Sequence, residues 1–244
     1  MSNTQPRKLN SGVVRRGPVK SRQLDRELLR SDDKDWSRSD PWRVMRIQTE
    51  FVEGFEALED LGPAVSLFGS ARTKPDDPLY KVGYDIGQTL ARRGIAVITG
   101  AGPGTMEAAN RGADEAGGVS VGLGIELPFE DAMNSSVNLG IMFRYFFARK
   151  VMFLKYAQGF IALPGGFGTF DELFETLTLI QTGTVEDFPV VLFGTEYWGG
   201  LRDWIEHTML ARGYISPGDL DFAVMTDDVD EAVAVACSKI TSGG

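Results

Sequence analysis

The sequence predicts an α/β protein with a Rossmann-like, doubly wound parallel sheet and helices on both faces. Short apolar runs alternate with stretches of helical periodicity from residue 64 to residue 240. These runs are almost continuously apolar, which favours a parallel sheet that is covered on both faces. Three of the turns after predicted strands are rich in glycine. Because ligands of such sheets bind at the carboxyl ends of the strands, a site is expected at these turns.

A first helix is predicted from the segment Ser39-Asp40-Pro41, and it continues to Leu58. Asp40 suits the N-cap and Pro41 the first turn, and apolar residues then recur at helical spacing. The predicted strands are residues 64–68, 95–99, 119–123, 139–143, 160–163, 190–193 and 222–225. The other predicted helices are residues 79–93, 104–116, 144–157, 169–182, 197–211 and 228–240.

Composition indicates one globular domain, residues 38–244, after a polar arm. The 244 residues are 43% hydrophobic and 24% charged, which is ordinary for such a domain. No apolar run reaches the roughly 18 residues of a membrane span, and the basic N-terminus lacks the apolar centre of a signal peptide. We therefore expect a cytoplasmic protein with no membrane partner.

Charge is unevenly distributed along the chain. Residues 1–37 carry nine Lys/Arg and five Asp/Glu, whereas the formal net charge of the whole chain is −9. The arm is therefore basic and is predicted to be disordered, while the body is strongly acidic. An acidic body repels the phosphates of nucleic acid, so nucleic acid is not the expected ligand.

The single cysteine, Cys237, and the single histidine, His207, limit the possible chemistry. One cysteine excludes an internal disulfide, and the lack of further Cys and His residues argues against a zinc site or a Ser-His-Asp catalytic triad. We expect no metal and no cofactor. Carboxylates, Arg, Lys, hydroxyl groups and the backbone remain as the groups that could act.

The three glycine-rich turns predict a phosphate site. The first contains Ser70 and Arg72, the second contains Gly102 and Gly104, and the third is residues 164–169. Glycines allow backbone N–H groups to converge, and the helix N-terminus behind each turn favours an anion. Neither a full dinucleotide fingerprint nor a Walker lysine is present, so a mononucleotide-sized site is predicted. Purely structural turns remain the alternative.

The helix after the third turn presents a second pair of alternatives. Its apolar stripe leaves Glu172, Glu175 and Thr178 together on another face, at the phosphate turn. However, Thr169 followed by Glu172 is also the pattern of a capping box, with Thr169 as the N-cap. Glu172 therefore either points into a site or folds back onto the start of its own helix.

Arg149 and Lys150 lie side by side in the nearly apolar segment from Phe143 to Leu154. Charges in such a segment need a partner. They either face the site and meet an anionic substrate, or they form structural ion pairs.

The segment from Pro164 to Glu172 resembles PGGxGTxxE, the signature of the LOG ("Lonely guy") family of nucleoside-5′-monophosphate phosphoribohydrolases. The Arg149-Lys150 pair and the turn at Gly100–Met106 also match that family, and the resemblance covers roughly residues 62–240. It implies a Rossmann-like homodimer, or an assembly of dimers, that releases free base and ribose 5-phosphate from a nucleoside 5′-monophosphate.

The resemblance also implies roles for individual residues. Arg149 and Glu172 match the catalytic positions, and the matching substrate-binding positions are Lys150, Gly165, Gly166, Gly168, Thr169 and Thr178. The second turn departs from the GGGxxGLMG of short plant-type members, so a preference for cytokinins over AMP stays open. Proteins with this signature are often labelled lysine decarboxylases, but that chemistry needs a lysine Schiff base with pyridoxal phosphate.

The expected mechanism gives Glu172 the central role. Breaking a ribosyl C–N bond passes through an oxocarbenium-like state, and a carboxylate beside the sugar can either stabilise that state or activate the attacking water. Arg149 would orient the phosphoribosyl group, and Ser70 and Arg72 are weaker candidates at the same sheet edge. The alternative function is a non-catalytic nucleotide or molybdenum-cofactor carrier, and a DNA-processing module is a more distant third.

Overall fold

The computed structural model describes residues 36–126, 133–186 and 188–240, which form a seven-stranded sheet with helices on both faces. The strands are β1 Ala64–Phe68, β2 Ala96–Thr99, β3 Ser120–Ile125, β4 Leu139–Phe143, β5 Phe160–Ala162, β6 Val190–Phe193 and β7 Ala223–Thr226. The α-helices are α1 Trp36–Leu58, α2 Pro78–Arg92, α3 Thr105–Glu115, α4 Phe146–Tyr156, α5 Phe167–Gln181, α6 Thr195–Trp204 and α7 Val229–Ala236.

The strand order is β4-β3-β2-β1-β5-β6-β7, and every pair of neighbouring strands is parallel. The chain winds outward in one direction from β1 to β4 and then in the other direction from β5 to β7. The direction of winding reverses between β1 and β5, and a crevice opens at the carboxyl ends of the strands at such a reversal. The predicted doubly wound parallel sheet is confirmed, and the turns after β1, β2 and β5 lie around this crevice.

Alternation along the strands explains why both faces carry helices. In β1, Val65 and Leu67 point to a core that is shared with α2, α3 and α7. Ala64 and Phe68 point to the opposite core, which is shared with α1, α4, α5 and α6. All five residues of β1 are buried, so the strand is covered on both sides.

Several element boundaries differ from the sequence prediction. The first helix already includes Trp36, so Asp40 and Pro41 lie inside it and not at its start; nothing in the described contacts explains the extra turn. The helix predicted at 197–211 begins at Thr195, and after Trp204 it continues as a π-helix, Ile205–Leu210. The predicted strands agree with the observed ones to within two residues.

The predicted basic arm, residues 1–37, lies outside the described residues except for Trp36 and Ser37, which are helical. Within the described part of the chain, no helix is both long and apolar enough to cross a membrane.

Candidate active site

The three glycine-rich turns pack directly against one another at the crevice. The Ser70 backbone N–H donates to the Pro164 carbonyl at 3.1 Å, and the Ser70 carbonyl accepts from the Thr105 N–H at 3.0 Å. A Cβ on Gly69 would lie 2.4 Å from the Thr105 hydroxyl oxygen, so glycine is required for this approach. The turn after β1 therefore joins the turns after β2 and β5.

A buried polar network holds the turn after β2. The Thr99 hydroxyl donates to the Asn110 side-chain oxygen at 2.6 Å and accepts from the Ala101 N–H at 3.0 Å. Asn134, which precedes β4, donates from its side-chain nitrogen to the Gly102 carbonyl at 3.1 Å and to the Asn110 oxygen at 2.9 Å. This network supports the positive φ of 64° at Ala101, which is unusual for a residue with a side chain.

Helix α5 begins at Phe167 with Gly166 as its N-cap, two residues earlier than predicted. The capping box is therefore wrong: Thr169 already lies in the first turn, and its N–H donates to the Gly166 carbonyl at 3.0 Å. The first N–H groups of an α-helix have no partner within the helix, and this helix begins shortly after the carboxyl end of β5. The Tyr197 hydroxyl fixes this turn from α6 by donating to the Gly165 carbonyl at 2.5 Å.

The glycines of these turns fall into two groups. A Cβ on Gly165 would lie 2.1 Å from the Thr169 hydroxyl oxygen, and one on Gly104 would lie 2.3 Å from the Ser70 carbonyl oxygen. By contrast, a Cβ on Gly166 or Gly168 would meet no atom within 4 Å. Packing within the described fold thus explains the glycines of the first group but not those of the second.

Glu172 lies one turn into α5 and is only 4% exposed. The structure does not place it on one face with Glu175 and Thr178, as the sequence analysis expected, because it faces inward with Thr169 and Thr176. Burial raises the pKa of Glu172 to about 7, although the positive charges of Lys150 and Arg149 act in the opposite direction. Such a carboxyl group is near the midpoint of its titration at neutral pH, as a general base should be.

Arg149 reaches Glu172 from the facing helix α4. Its guanidinium Nη2 lies 4.0 Å from Glu172 Oε1, and the Arg149 side chain is 13% exposed. The guanidinium stacks over Phe146 and Phe153, with its Cζ 5.0 Å and 5.5 Å from the two ring centroids. A Cβ placed on Gly100 would lie 3.9 Å from Arg149 Nη1. The two predicted catalytic residues therefore meet beside the turn after β2.

Lys150 points to a different part of α5. Its ammonium nitrogen lies 2.8 Å from Asp171 Oδ2 and 2.7 Å from Glu175 Oε2. Burial disfavours the ammonium charge, but the two carboxylates outweigh burial and raise the pKa of Lys150. This arrangement is the structural ion pair that the sequence analysis left open for Lys150.

The remaining predicted residues lie at the edge of this cluster. The Ser70 hydroxyl accepts from the Arg72 N–H at 3.0 Å, which is a turn-forming hydrogen bond, and the Arg72 side chain is exposed. Thr178 is exposed and donates to the Phe174 carbonyl of its own helix at 2.7 Å. It lines a surface groove of about 760 Å³ along the outer face of α5. Roles for these three residues stay predictions.

Sequence reasoning missed the residues that support the turns. Thr105, Asn110 and Asn134 were not singled out, although Thr105 and Asn110 are fully buried. A buried asparagine inside a helix is a signal, because such a group must find hydrogen-bond partners. Its burial, however, follows from the packing of α3 on the sheet and not from its neighbours in sequence.

Comparison with protein families identifies a match over the second half of the chain. The family described as "Possible lysine decarboxylase" matches residues 106–235, which include Arg149, Glu172 and the whole third turn. This match covers more than half of the chain.

Two curated relatives are similar to this chain in sequence, and one solved structure is similar to it in fold. A cytokinin riboside 5′-monophosphate phosphoribohydrolase of Mycobacterium tuberculosis is 32% identical over 165 residues, 66% of this chain and 86% of the relative. One from Rhodococcoides fascians is 31% identical over 176 residues, 70% of this chain and 87% of the relative. The molybdenum cofactor carrier protein of Chlamydomonas reinhardtii aligns with a TM-score of 0.53 at 24% identity, over 73% of this chain and 98% of that one. The last likeness shows the fold alone.

Proposed function

Because the chain belongs to the LOG family of phosphoribohydrolases, we propose that it hydrolyses the N-glycosidic bond of a nucleoside 5′-monophosphate. The products are the free base and ribose 5-phosphate. Two curated relatives of which the chain covers more than four fifths are named as phosphoribohydrolases for a cytokinin riboside 5′-monophosphate. The enzyme is a hydrolase that acts on an N-glycosyl bond.

One observation carries this proposal: a buried carboxylate lies one helical turn from a glycine-rich helix N-terminus. Glu172 is 4% exposed, and its pKa is raised to about 7, mainly by burial. Among the residues that the structure describes, the Glu172 carboxylate accepts no hydrogen bond, and its ion-pair partner Arg149 stands 4.0 Å away. The carboxylate therefore keeps its lone pairs for a substrate or a water molecule.

The 5′-phosphate is proposed to bind at the start of α5. The N–H groups of Gly166, Phe167 and Gly168 lie where a helix carries about half a positive charge. Gly166 and Gly168 have open space where a side chain would stand, so a phosphate can approach the backbone closely. The nearby Thr169 hydroxyl is a further donor, while Gly102 and Gly104 shape the opposite wall of the crevice.

In the reaction, Glu172 lies beside the ribose. As the C1′–N bond breaks, its electron pair leaves with the base and C1′ becomes positive. The Glu172 carboxylate stabilises that charge and accepts a proton from the attacking water, whose oxygen forms the new bond to C1′. The departing base takes up a proton from solvent.

Arg149 is proposed to orient both the phosphoribosyl group and Glu172. Its position between the turn after β2 and Glu172 places a fixed positive charge next to both. Lys150 contributes less directly, because Asp171 and Glu175 already neutralise it. It adds positive potential near the site and lowers the pKa of Glu172.

Base release from a panel of nucleotides decides both which base is preferred and whether the alternative carrier function applies. Cytokinin ribosides and AMP share the phosphoribosyl group, so the phosphate site does not distinguish them. The carrier alternative has support only at the level of fold, since the solved carrier is 24% identical. A carrier would bind a nucleotide or cofactor and release no base.

A homodimer is proposed as the working form, in the cytoplasm. Large apolar side chains are exposed beside the site: Phe167 is 96% exposed, Phe146 and Phe147 are 39% exposed, and Val151 is 40% exposed. Large apolar side chains exposed in this way are typical of an interface. Light scattering coupled to size exclusion would measure the mass directly.

The decisive experiment is to incubate the protein with a panel of nucleoside 5′-monophosphates and to quantify free base by chromatography. The panel includes AMP and a cytokinin riboside 5′-monophosphate, with the unphosphorylated nucleosides as matched controls. We expect base release from monophosphates only, because the phosphate supplies the binding energy at α5. Equal release from nucleosides, or tight binding without any release, would contradict the proposal.

A further inference from the structure

Among the α1 side chains that the structure describes, Glu50 is buried and only 3% exposed. The neighbouring Glu53 and Glu56 on the same helix are exposed. Helix α1 lies outside residues 106–235, the part of the chain that matches the family. Burying a carboxylate is costly, and here burial raises the pKa of Glu50 to about 7. The contacts of Glu50 should therefore explain how its buried carboxylate is accommodated.

Glu50 contacts the start of α4, the helix that carries Arg149. One carboxylate oxygen accepts from the Arg144 N–H at 3.1 Å, and the other accepts from the Tyr145 N–H at 3.2 Å. The Arg144 side chain also lies 3.8 Å from Glu50 and 3.5 Å from Glu126. Tyr145 is the N-cap residue of α4, and tyrosine is not a residue type that caps helices. Glu50 thus acts as a cap from a position 95 residues away in the sequence.

Further contacts between α1 and α4 run along the length of α4. A Cβ on Gly54 would lie 2.7 Å from Met152 Cε, so the two helices meet at close distance in the middle. Near the other end, the Tyr156 hydroxyl donates to the Phe55 carbonyl at 3.2 Å. Helix α1 therefore contacts the start, the middle and the end of α4, which fixes both its rotation and its position along its axis.

The capped end of α4 is directly connected to Arg149. The Arg149 N–H donates to the Tyr145 carbonyl at 3.3 Å, so Arg149 lies one turn beyond the residue that Glu50 holds. A shift at Tyr145 is passed to Arg149 through this hydrogen bond. Misplacing a catalytic group by about 1 Å can lower a rate on the order of 100-fold.

We propose that Glu50 is a positioning residue for Arg149: by capping α4 from α1, it sets the distance between Arg149 and Glu172. This inference rests on the proposed function for its effect on rate. It assigns a role in the active site to a helix outside the matched family region. Glu50 itself touches neither the substrate nor the reacting atoms.

The test compares Glu50→Gln with Glu53→Gln, its exposed neighbour on the same helix. A glutamine has one acceptor oxygen for the two N–H groups, so α4 loses one of its anchors. We expect kcat to fall about 10-fold in Glu50→Gln while KM stays within about twofold, because this change displaces Arg149 without removing its charge from the site. Glu53→Gln should match the wild type in both parameters.

A double-mutant cycle separates positioning from general stability. In an Arg149→Ala background, Glu50→Gln should lower kcat no further, since the group that it positions is gone. A purely structural role would give the same loss in both backgrounds, together with a lower melting temperature. Equal losses in both backgrounds would overturn the proposal. So would an unchanged kcat in the folded single variant.

A measurement without substrate keeps this proposal separate from the proposed function. Arg149 lowers the pKa of Glu172, so a displaced Arg149 should allow that pKa to rise in Glu50→Gln but not in Glu53→Gln. Titration of the Glu172 carboxyl carbon by NMR measures this shift. No shift would overturn the positioning role, whereas a wild type that releases no base would overturn the function alone. Should Glu50→Gln fail to fold, Glu50→Asp, which is one methylene shorter, is tested in the same assays.

Discussion

Two neighbouring cations on α4 meet α5 in opposite ways. The Lys150 ammonium nitrogen lies 2.7–2.8 Å from carboxylate oxygens of Asp171 and Glu175, which are both accessible to solvent. Arg149 stands 4.0 Å from the buried Glu172. Lys150 lies within hydrogen-bond distance of both of its carboxylate partners. The separation between Arg149 and Glu172 is longer than a hydrogen bond.

The difference between the two pairs favours a catalytic role for the Arg149–Glu172 pair and a structural role for the Lys150 pairs. A close, partly solvated ion pair holds helices together but adds little else. A buried carboxylate whose pKa is raised to about 7 costs stability, and such perturbed groups concentrate at functional sites. Arg149 and Lys150 are therefore predicted to have different roles, because they face different parts of the same neighbouring helix.

The largest effect is expected from Glu172→Gln. This change keeps the shape of the side chain but removes the carboxylate, which is the proposed base and the negative charge proposed to lie beside the ribose. We expect kcat to fall by about 10²–10⁴-fold, the range for a positioned general base. Steady-state base release measures this fall in kcat. Near wild-type turnover in a folded Glu172→Gln protein would contradict the assignment of Glu172 as the base.

Next in size is the contrast between Arg149→Ala and Lys150→Ala. Removing Arg149 takes away the charge that orients the reacting groups, so kcat/KM should fall about 100-fold. Removing Lys150 frees two partly exposed carboxylates and should lower kcat/KM by no more than about 5-fold, because the pair is partly solvated. Assays of both variants with the same monophosphate decide the point. A larger loss for Lys150→Ala would reverse the comparison.

The third prediction concerns stability, since a buried carboxylate with a raised pKa makes stability depend on pH. Below pH 4.5 Glu172 is protonated in both the folded and unfolded states and costs nothing. Between pH 4.5 and about 7 only the unfolded state ionises, so stability falls as pH rises, by up to roughly 3 kcal/mol at 1.36 kcal/mol per pKa unit. Glu172→Gln should therefore be more stable than the wild type at pH 8 and similar to it at pH 4.5.

Denaturant unfolding of both proteins at the two pH values measures this difference. The raised pKa of Glu50 gives the wild type a second contribution of the same sign, and the variant retains it. Only the difference between the two proteins therefore reports on Glu172. Equal stabilities at pH 8 would show that Glu172 is not desolvated.

The smallest effects are expected from charges near Glu172. Lys150 lowers the pKa of Glu172, and Glu175 raises it. The acid limb of kcat/KM should thus move to higher pH in Lys150→Met and to lower pH in Glu175→Gln, each by less than about one unit. The substrate phosphate titrates identically with every variant, so differences between pH profiles isolate the enzyme. Shifts in the same direction would contradict the pairing.

Much of the architecture was predictable because it depends on local patterns. Apolar runs of strand length between helical stretches predicted the seven strands that the structure describes, and the three glycine-rich turns follow β1, β2 and β5 at one edge of the sheet, as expected. The start of α5 was less predictable. Thr169 followed by Glu172 satisfies the capping-box pattern, but the helix begins at Phe167 with Gly166 as its N-cap.

By itself, the sequence determined the fold class, the family and the two residues that are predicted to be catalytic, because periodicity and a contiguous signature are both local properties. Only the tertiary structure decided that Glu172 faces inward, that Lys150 is already paired, and that Glu50 caps the helix of Arg149. The physical reason is that burial and charge pairing depend on which helix faces which. Glu50 and Tyr145, for example, are neighbours in the fold but lie 95 residues apart in the chain.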